Sequence, residues 1–183
     1  MLGYSPRNYK TSENMTAKTP TESLTILTDV VLPGETNVLN HMFGGELLAR
    51  MDRAGSIAAG RHARCVVVTA SVNHVSFSKP IPIGSVVTVE AKVSRAFKSS
   101  MEVFIDVWIE DKNSGDRVKA NDATYIFVAV DDNGHPTDIP EVIPETPLEI
   151  ERYNAALRRK QLSLILAGRL QPKDATELKS IFE

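Results

Sequence analysis

The sequence predicts an α+β domain: a long helix wrapped by a five-stranded antiparallel sheet, with a second helix at the C-terminal end. Three observations carry this. Residues 44–60 have helical periodicity, with apolar side chains over most of the circumference. Residues 65–130 switch to a period of two, in long β-branched runs parted by short turn signals, as antiparallel strands with one buried face require. A short strand comes before the helix, so one helix must cover the one sheet. Such a sheet leaves two edges to pair or protect, and pairing them across a two-fold axis would give a homodimer.

In chain order, residues 1–22 are rich in Ser, Thr, Asn, Lys and Pro, and read as a flexible N-terminal arm. The folded domain is expected over 23–146. Leu24 and Ile26 alternate with Thr25 and Thr28 in a first strand over 23–31, stopped by Pro33-Gly34. A polar loop leads to the helix, which Gly60 is expected to end, with Arg61 and His62 just beyond. On that helix Glu46, Arg50 and Arg53 share a solvated face, while Leu47, Met51, Ala54 and Ala58 face the core. Strands follow over 65–77, 85–97, 101–110 and 117–130, separated by Lys79-Pro80-Ile81-Pro82, the segment around Lys98 and Asn113-Ser114-Gly115. In the third of these, Glu102, Asp106 and Glu110 fall on the water-facing side. Residues 135–147 carry four prolines and should run extended. A C-terminal helical extension over 147–183 begins with a helix to about Gly168 and closes with a short helix over 174–182.

Composition narrows the function. The chain has 183 residues and a net charge of −2, which argues against nucleic acid as the main partner. Its single cysteine, Cys65, excludes a disulfide framework and a cysteine-based zinc site, and suits a reducing compartment. Cys65 itself is expected to pack rather than react. No apolar run reaches the ~20 residues of a membrane-spanning helix, and residues 1–20 lack the apolar core of a signal peptide. The expectation is a cytoplasmic protein without membrane insertion.

The chemistry concentrates between Asn37 and Gly60. Gly44-Gly45 opens the helix, where free backbone N–H groups and the positive dipole end can hold an anion or a polarised carbonyl. Asp52, two turns on, lies on neither the wet nor the core face, beside Leu48, Gly55, Ser56 and Ala59. Burial there would raise its pKa unless a donor or a partner stabilised the charge. It reads either as a general base or nucleophile, or as the satisfied partner of a nearby Arg or Ser. Asn37, Asn40 and His41 can donate or accept hydrogen bonds, or serve only as caps and turn formers, and the blander reading of the two glycines is a tight turn. The chain has no G-x-S-x-G elbow, Walker A loop or H-E-x-x-H motif.

These residues lie in strings that resemble the hotdog-fold acyl-CoA thioesterases. The strings are Leu32-Pro33-Gly34-Glu35-Thr36-Asn37, Phe43-Gly44-Gly45, Met51-Asp52, Val67-Val68-Thr69-Ala70-Ser71-Val72, Lys98-Ser99-Ser100-Met101-Glu102-Val103, Phe127-Val128-Ala129-Val130-Asp131 and Val142-Ile143-Pro144-Glu145-Thr146. The resemblance spans roughly Leu24 to Gly168. It implies hydrolysis of acyl-CoA to a free acid and CoA, with no metal or organic cofactor and with CoA present only as part of substrate and product. It also implies dimers, commonly three to a hexamer, with sites between subunits.

By position, the resemblance makes Asp52 the catalytic carboxylate and Gly44 or Gly45 the backbone donor to the thioester oxygen. Asn37 and Thr69, inside matched strings, join the substrate-contacting residues. Lys98, Ser99 and Ser100 resemble the turn that approaches the CoA phosphates, with Arg158 and Arg159 as further candidates; the blander reading of the two arginines is a solvated basic helix face. Such enzymes usually carry Asp or Asn three positions before the first Gly. Here that position is His41, with Asn40 just before it, so either could take the role. Two other readings stay open: a hotdog hydratase or dehydratase using His41 with Asp52, and a non-catalytic acyl-CoA-binding module.

Overall fold

The computed structural model describes residues 15–111 and 114–179. Its elements are β1 (Thr25–Val30), α1 (Gly44–Ala63), β2 (Val66–Phe77), β3 (Val86–Ala96), β4 (Ser100–Glu110), β5 (Arg117–Val130), α2 (Pro147–Leu166) and the single turn α3 (Thr176–Lys179). The five strands form one sheet in the order β1-β3-β4-β5-β2, every pair antiparallel. α1 packs against one face of this sheet, the arrangement expected from the sequence. Leu47, Met51, Ala54 and Ala58 meet Val89, Val93, Val103, Ile105 and Phe127 in one buried cluster. Gly55 lets the helix approach the sheet: a Cβ there would lie 2.9 Å from the Phe127 ring.

The strands start and stop within two residues of the expected positions, because turn residues interrupt the alternation there. Four other expectations are corrected by tertiary contacts. Gly60 does not end α1. The helix runs on to Ala63 and stops at Arg64, whose φ is 57°. Lys18 Nζ donates to the carbonyls of Arg61 and His62, so the added turn is held by the N-terminal segment. Lys18 also bridges to Val142, which makes the end of the proposed flexible arm part of the fold. Residues 1–14 of that arm lie outside the described residues, as do 180–182 of the expected last helix.

Arg50 does not face solvent with Glu46 and Arg53. Its side chain is 6% exposed and reaches Glu35 at 2.8 Å and Asp29 at 3.3 Å. These acids follow and end β1 in sequence, so the helical period could not reveal the pairing. The Leu32 N–H and then Arg50 hold the Glu35 carboxyl below its usual range.

The outer face of the sheet is likewise not all wet, because α2 packs across it. A capping box of Thr146 and Glu149 starts α2. Lys92–Glu149, Arg152–Asp106 and Arg159–Glu102 then pair across the contact at 3.3, 2.8 and 2.7 Å. Glu102 is thereby fully buried, and Ser94 Oγ donates to it at 2.7 Å.

His62 gives the fold a pH dependence. Its ring is fully buried, with Nε2 2.8 Å from the Pro140 carbonyl. Burial lowers its pKa by more than that carbonyl raises it. The unfolded chain therefore binds the proton more readily, and the stability of the neutral buried ring is present above the unfolded value. It begins to be lost as the pH falls below about 6.5 and is gone once the pH has passed through the lower folded value. Thermal melts of the wild type and His62→Gln from pH 8 to 5 should show the wild type losing its advantage on acidification; parallel curves would contradict this.

Candidate active site

The polar loop is a small, tightly tied hairpin. Thr36 and Met42 bridge, the Asn37 N–H donates to the His41 carbonyl, and the Phe43 N–H donates to the Glu35 carbonyl. Asn40 takes the left-handed corner at φ 56°, a conformation Asn tolerates better than most residues. Its own N–H donates to the Asn37 carbonyl and its carbonyl accepts from Ile83. Asn37 Oδ1 accepts the N–H groups of Leu39 and His41 at 2.9 and 3.2 Å. The Asn37 amide nitrogen has no acceptor among the described residues, so it remains a positioned donor.

The loop delivers the chain into α1 with no side-chain cap on the helix start. The first N–H groups of α1, from Gly44 and Gly45 onward, have no intrahelical acceptor. A Cβ at Gly44 would meet the Phe77 ring at an ordinary 3.5 Å, and one at Gly45 would meet nothing within 4 Å. Neither glycine has a positive φ. Packing and backbone conformation within this chain therefore do not require Gly45. The missing side chain leaves the Gly45 backbone open to close approach from outside the chain.

Asp52 lies eight residues after Gly44, ~12 Å along the helix. It is half-buried, and Thr69 Oγ1 donates to its Oδ1 at 2.6 Å. The structure thus gives Asp52 a hydroxyl partner from β2, where the sequence had suggested an Arg or Ser. Thr69 sits beside a register shift in β2, and a bulge of this kind re-aims a side chain. The Tyr125 phenol lies close behind, donating to the Leu48 carbonyl at 3.2 Å. Burial first, and then the negative charge of Asp52, push its pKa up to about 12. Tyr125 therefore stays a neutral donor at the back of the carboxylate.

The structure brings only part of the expected set together. Asn37, His41 and Gly44 line one cavity of about 340 Å³, with Phe77, Lys79 and Asn121. Gly45 is exposed beside it, and Asn40 is exposed at the loop corner. Asp52 and Thr69 are not in that lining. They face the β2 edge, where Val66, Val68 and Val72 are 46–54% exposed. Lys98 and Ser99 lie in the β3–β4 turn and Ser100 begins β4, with Lys98 exposed. The strand position opposite Asn121 is Val107, seven residues from Ser100, so the turn lies ~23 Å away along β4. Arg158 is half-buried on α2, and Arg159 is engaged by Glu102 in two short hydrogen bonds of 2.8 and 2.7 Å.

Sequence reasoning missed Phe77, Lys79 and Asn121. A signal for Asn121 existed: it stands in the inward-facing series Asn121, Ala123, Tyr125, Phe127, Ala129, where every other member is apolar or aromatic. Among the described residues no group of three or more His, Cys, Asp or Glu side chains is placed to hold a metal, and no helix is long and apolar enough to cross a membrane.

Residues 39–115 match the thioesterase superfamily. An uncharacterized acyl-CoA thioester hydrolase of Bacillus subtilis (strain 168) is 43% identical over 138 residues, covering 75% of this chain and 80% of that protein. The structure of a hexameric acyl-CoA thioesterase superposes with a TM-score of 0.80 at 34% identity, covering 84% of this chain and 98% of the other. An acyl-CoA hydrolase from Staphylococcus aureus, solved with butyryl-CoA, CoA and CoA disulfide, gives 0.78 at 36% identity, covering 90% and 99%. Solved structures of that enzyme include variants with Ala replacing one Asn, one Asp and one Thr; fifteen residues separate the Asn from the Asp, and seventeen the Asp from the Thr. Asn37, Asp52 and Thr69 have the same spacings. By sequence, by fold and by the spacing of these polar residues, the chain belongs to the acyl-CoA thioester hydrolases of the thioesterase superfamily.

Proposed function

We propose that the chain hydrolyses acyl-CoA at a site completed by two subunits. Asp52 and Thr69 come from one protomer, and Asn37 and the helix start of the other face them. The observation that carries this reading is the separation within one chain. The carboxylate points toward an unpaired, apolar strand edge, while the free amide donor of Asn37 lines a cavity near the helix start. Pairing β2 with the β2 of a second copy would continue the sheet, cover the exposed valines and bring foreign groups to Asp52. Three such dimers would make a hexamer, the assembly named for a relative of similar fold.

Thr69 holds Asp52 Oδ1, which leaves Oδ2 to act. Asp52 either takes a proton from water, whose oxygen attacks the thioester carbonyl, or attacks that carbon itself and is released by water in a second step. In both routes a glycine N–H at the helix start holds the developing oxyanion, and Asn37 orients water or the carbonyl. The C–S bond breaks, the sulfur takes up a proton, and a free acid and the CoA thiol leave. We assign the loop role to Asn37 rather than to His41 or Asn40, because the Asn40 backbone holds the turn and the Asn37 spacing matches that of the relative. His41 remains a cavity-lining residue. Lys98, Ser99 and Ser100 are assigned to the CoA phosphates, with Arg158 in reserve. Arg159 is set aside because Glu102 already neutralises it.

Complementation tests the two-subunit site. Asp52→Ala and Asn37→Ala, each purified alone, should release almost no thiol from acyl-CoA. Co-expressed in equal amounts, half of the dimers are mixed and each mixed dimer keeps one intact site, so about a quarter of wild-type activity should return. Failure of the mixture to exceed the single variants would sink the shared site. Turnover of an enoyl-CoA without thiol release would point to a lyase instead.

A further inference from the structure

The cavity behind Gly44 has an unusual floor. Its walls are mixed, with Met42, Leu47, Phe77 and Ile81 on the apolar side and His41 and Lys79 on the polar side. Asn121 reaches it from β5 and is 1% exposed, yet neither its Oδ1 nor its Nδ2 has a hydrogen-bond partner. Burying both ends of an amide unpaired is costly, and such groups normally find a partner. Asn121 lines the cavity with both amide atoms just beneath its surface, so a polar group seated there meets them once the wall gives slightly.

We propose that Asn121 selects acyl chains carrying an oxygen substituent near the thioester, such as a 3-hydroxyacyl group. The inference rests on the thioesterase reading above. If the thioester carbonyl is held at the helix start, the segment that enters the mixed cavity lined by Gly44 is the acyl chain, its methylenes against Leu47, Phe77 and Ile81. The CoA arm must lead outward, because its nucleotide is charged and bulky. A volume of about 340 Å³ suits a short chain. A plain hydrocarbon would leave both amide atoms unpaired, whereas a hydroxyl can donate to Oδ1 and accept from Nδ2.

The test compares kcat/KM for butanoyl-CoA and 3-hydroxybutanoyl-CoA, by thiol release, in the wild type and Asn121→Leu. The wild type should prefer the hydroxylated chain. Asn121→Leu should shift that ratio at least tenfold toward butanoyl-CoA, losing rate on one substrate and gaining it on the other. Leu keeps the branched skeleton of Asn and removes an unsatisfied group but is bulkier, so the melting temperature of the variant is measured first and the rates are compared on folded protein. A wild type with no preference overturns the proposal without needing the variant. An equal loss on both substrates also overturns it, since Asn121 would then serve a part that both share. Thiol release from longer acyl-CoAs but from neither of these two also overturns the proposal, whereas no thiol release at any chain length would instead bring down the thioesterase reading itself.

Discussion

Replacement of Asp52 by Asn is expected to lower kcat on acyl-CoA by about 10²–10⁴-fold with little change in KM or in melting temperature. Asn keeps the shape of Asp, and its carbonyl oxygen can still accept the Thr69 hydroxyl now 2.6 Å away. What it loses is the negative charge and the basic oxygen, and only those are required to take a proton or attack a carbonyl. Thr69→Ala should cost less, because it frees the carboxylate to rotate without removing it. Steady-state kinetics of thiol release on both variants, at saturating substrate, checks the ranking. An Asp52→Asn enzyme within a few-fold of wild type would mean that the carboxylate is only a structural partner of Thr69.

The largest expected effect on stability lies on the other side of the sheet. Arg159→Met should destabilise the fold by about 3 kcal/mol, read as a lower denaturant midpoint at unchanged slope. Glu102 is 1% exposed at its side chain, and Arg159, 28% exposed, supplies both of its charge-assisted bonds. Removing the guanidinium leaves a buried carboxylate with one neutral partner, Ser94. The partial exposure of Arg159 places the effect at the low end of the range for broken buried pairs. Glu102→Gln combined with Arg159→Met should recover much of the loss, because the uncompensated charge is gone. A loss under about 1 kcal/mol would show that solvent reaches Glu102 more easily than its burial implies.

Arg159 also illustrates where sequence reading stops. Its place in the run Arg158-Arg159-Lys160 suggests a wet basic face or a phosphate contact. Nothing local announces that a carboxylate fifty-seven residues earlier will be covered by this helix. Arg50 repeats the lesson, since its helical phase is that of Glu46 and Arg53 while its partners Asp29 and Glu35 lie outside the helix. A helical wheel assigns direction but not what stands in that direction.

The site divides along the same line. Asp52 could be singled out from the sequence because it interrupts the amphipathic pattern of α1, and the glycine pair because it starts that helix. Asn37 was legible as a residue but not as a role. Its committed oxygen and free nitrogen come from the folded hairpin, in which Asn40 is a backbone corner and His41 closes the turn.

The sequence by itself determined the strands, the central helix and the candidate carboxylate, because periodicity and turn chemistry act within a few residues of one another. Only the tertiary structure decided which charges are buried, that α1 continues past Gly60 onto Lys18, and that Asn121 ends unpaired against a cavity. Those outcomes depend on contacts between segments tens of residues apart, and no local pattern encodes them.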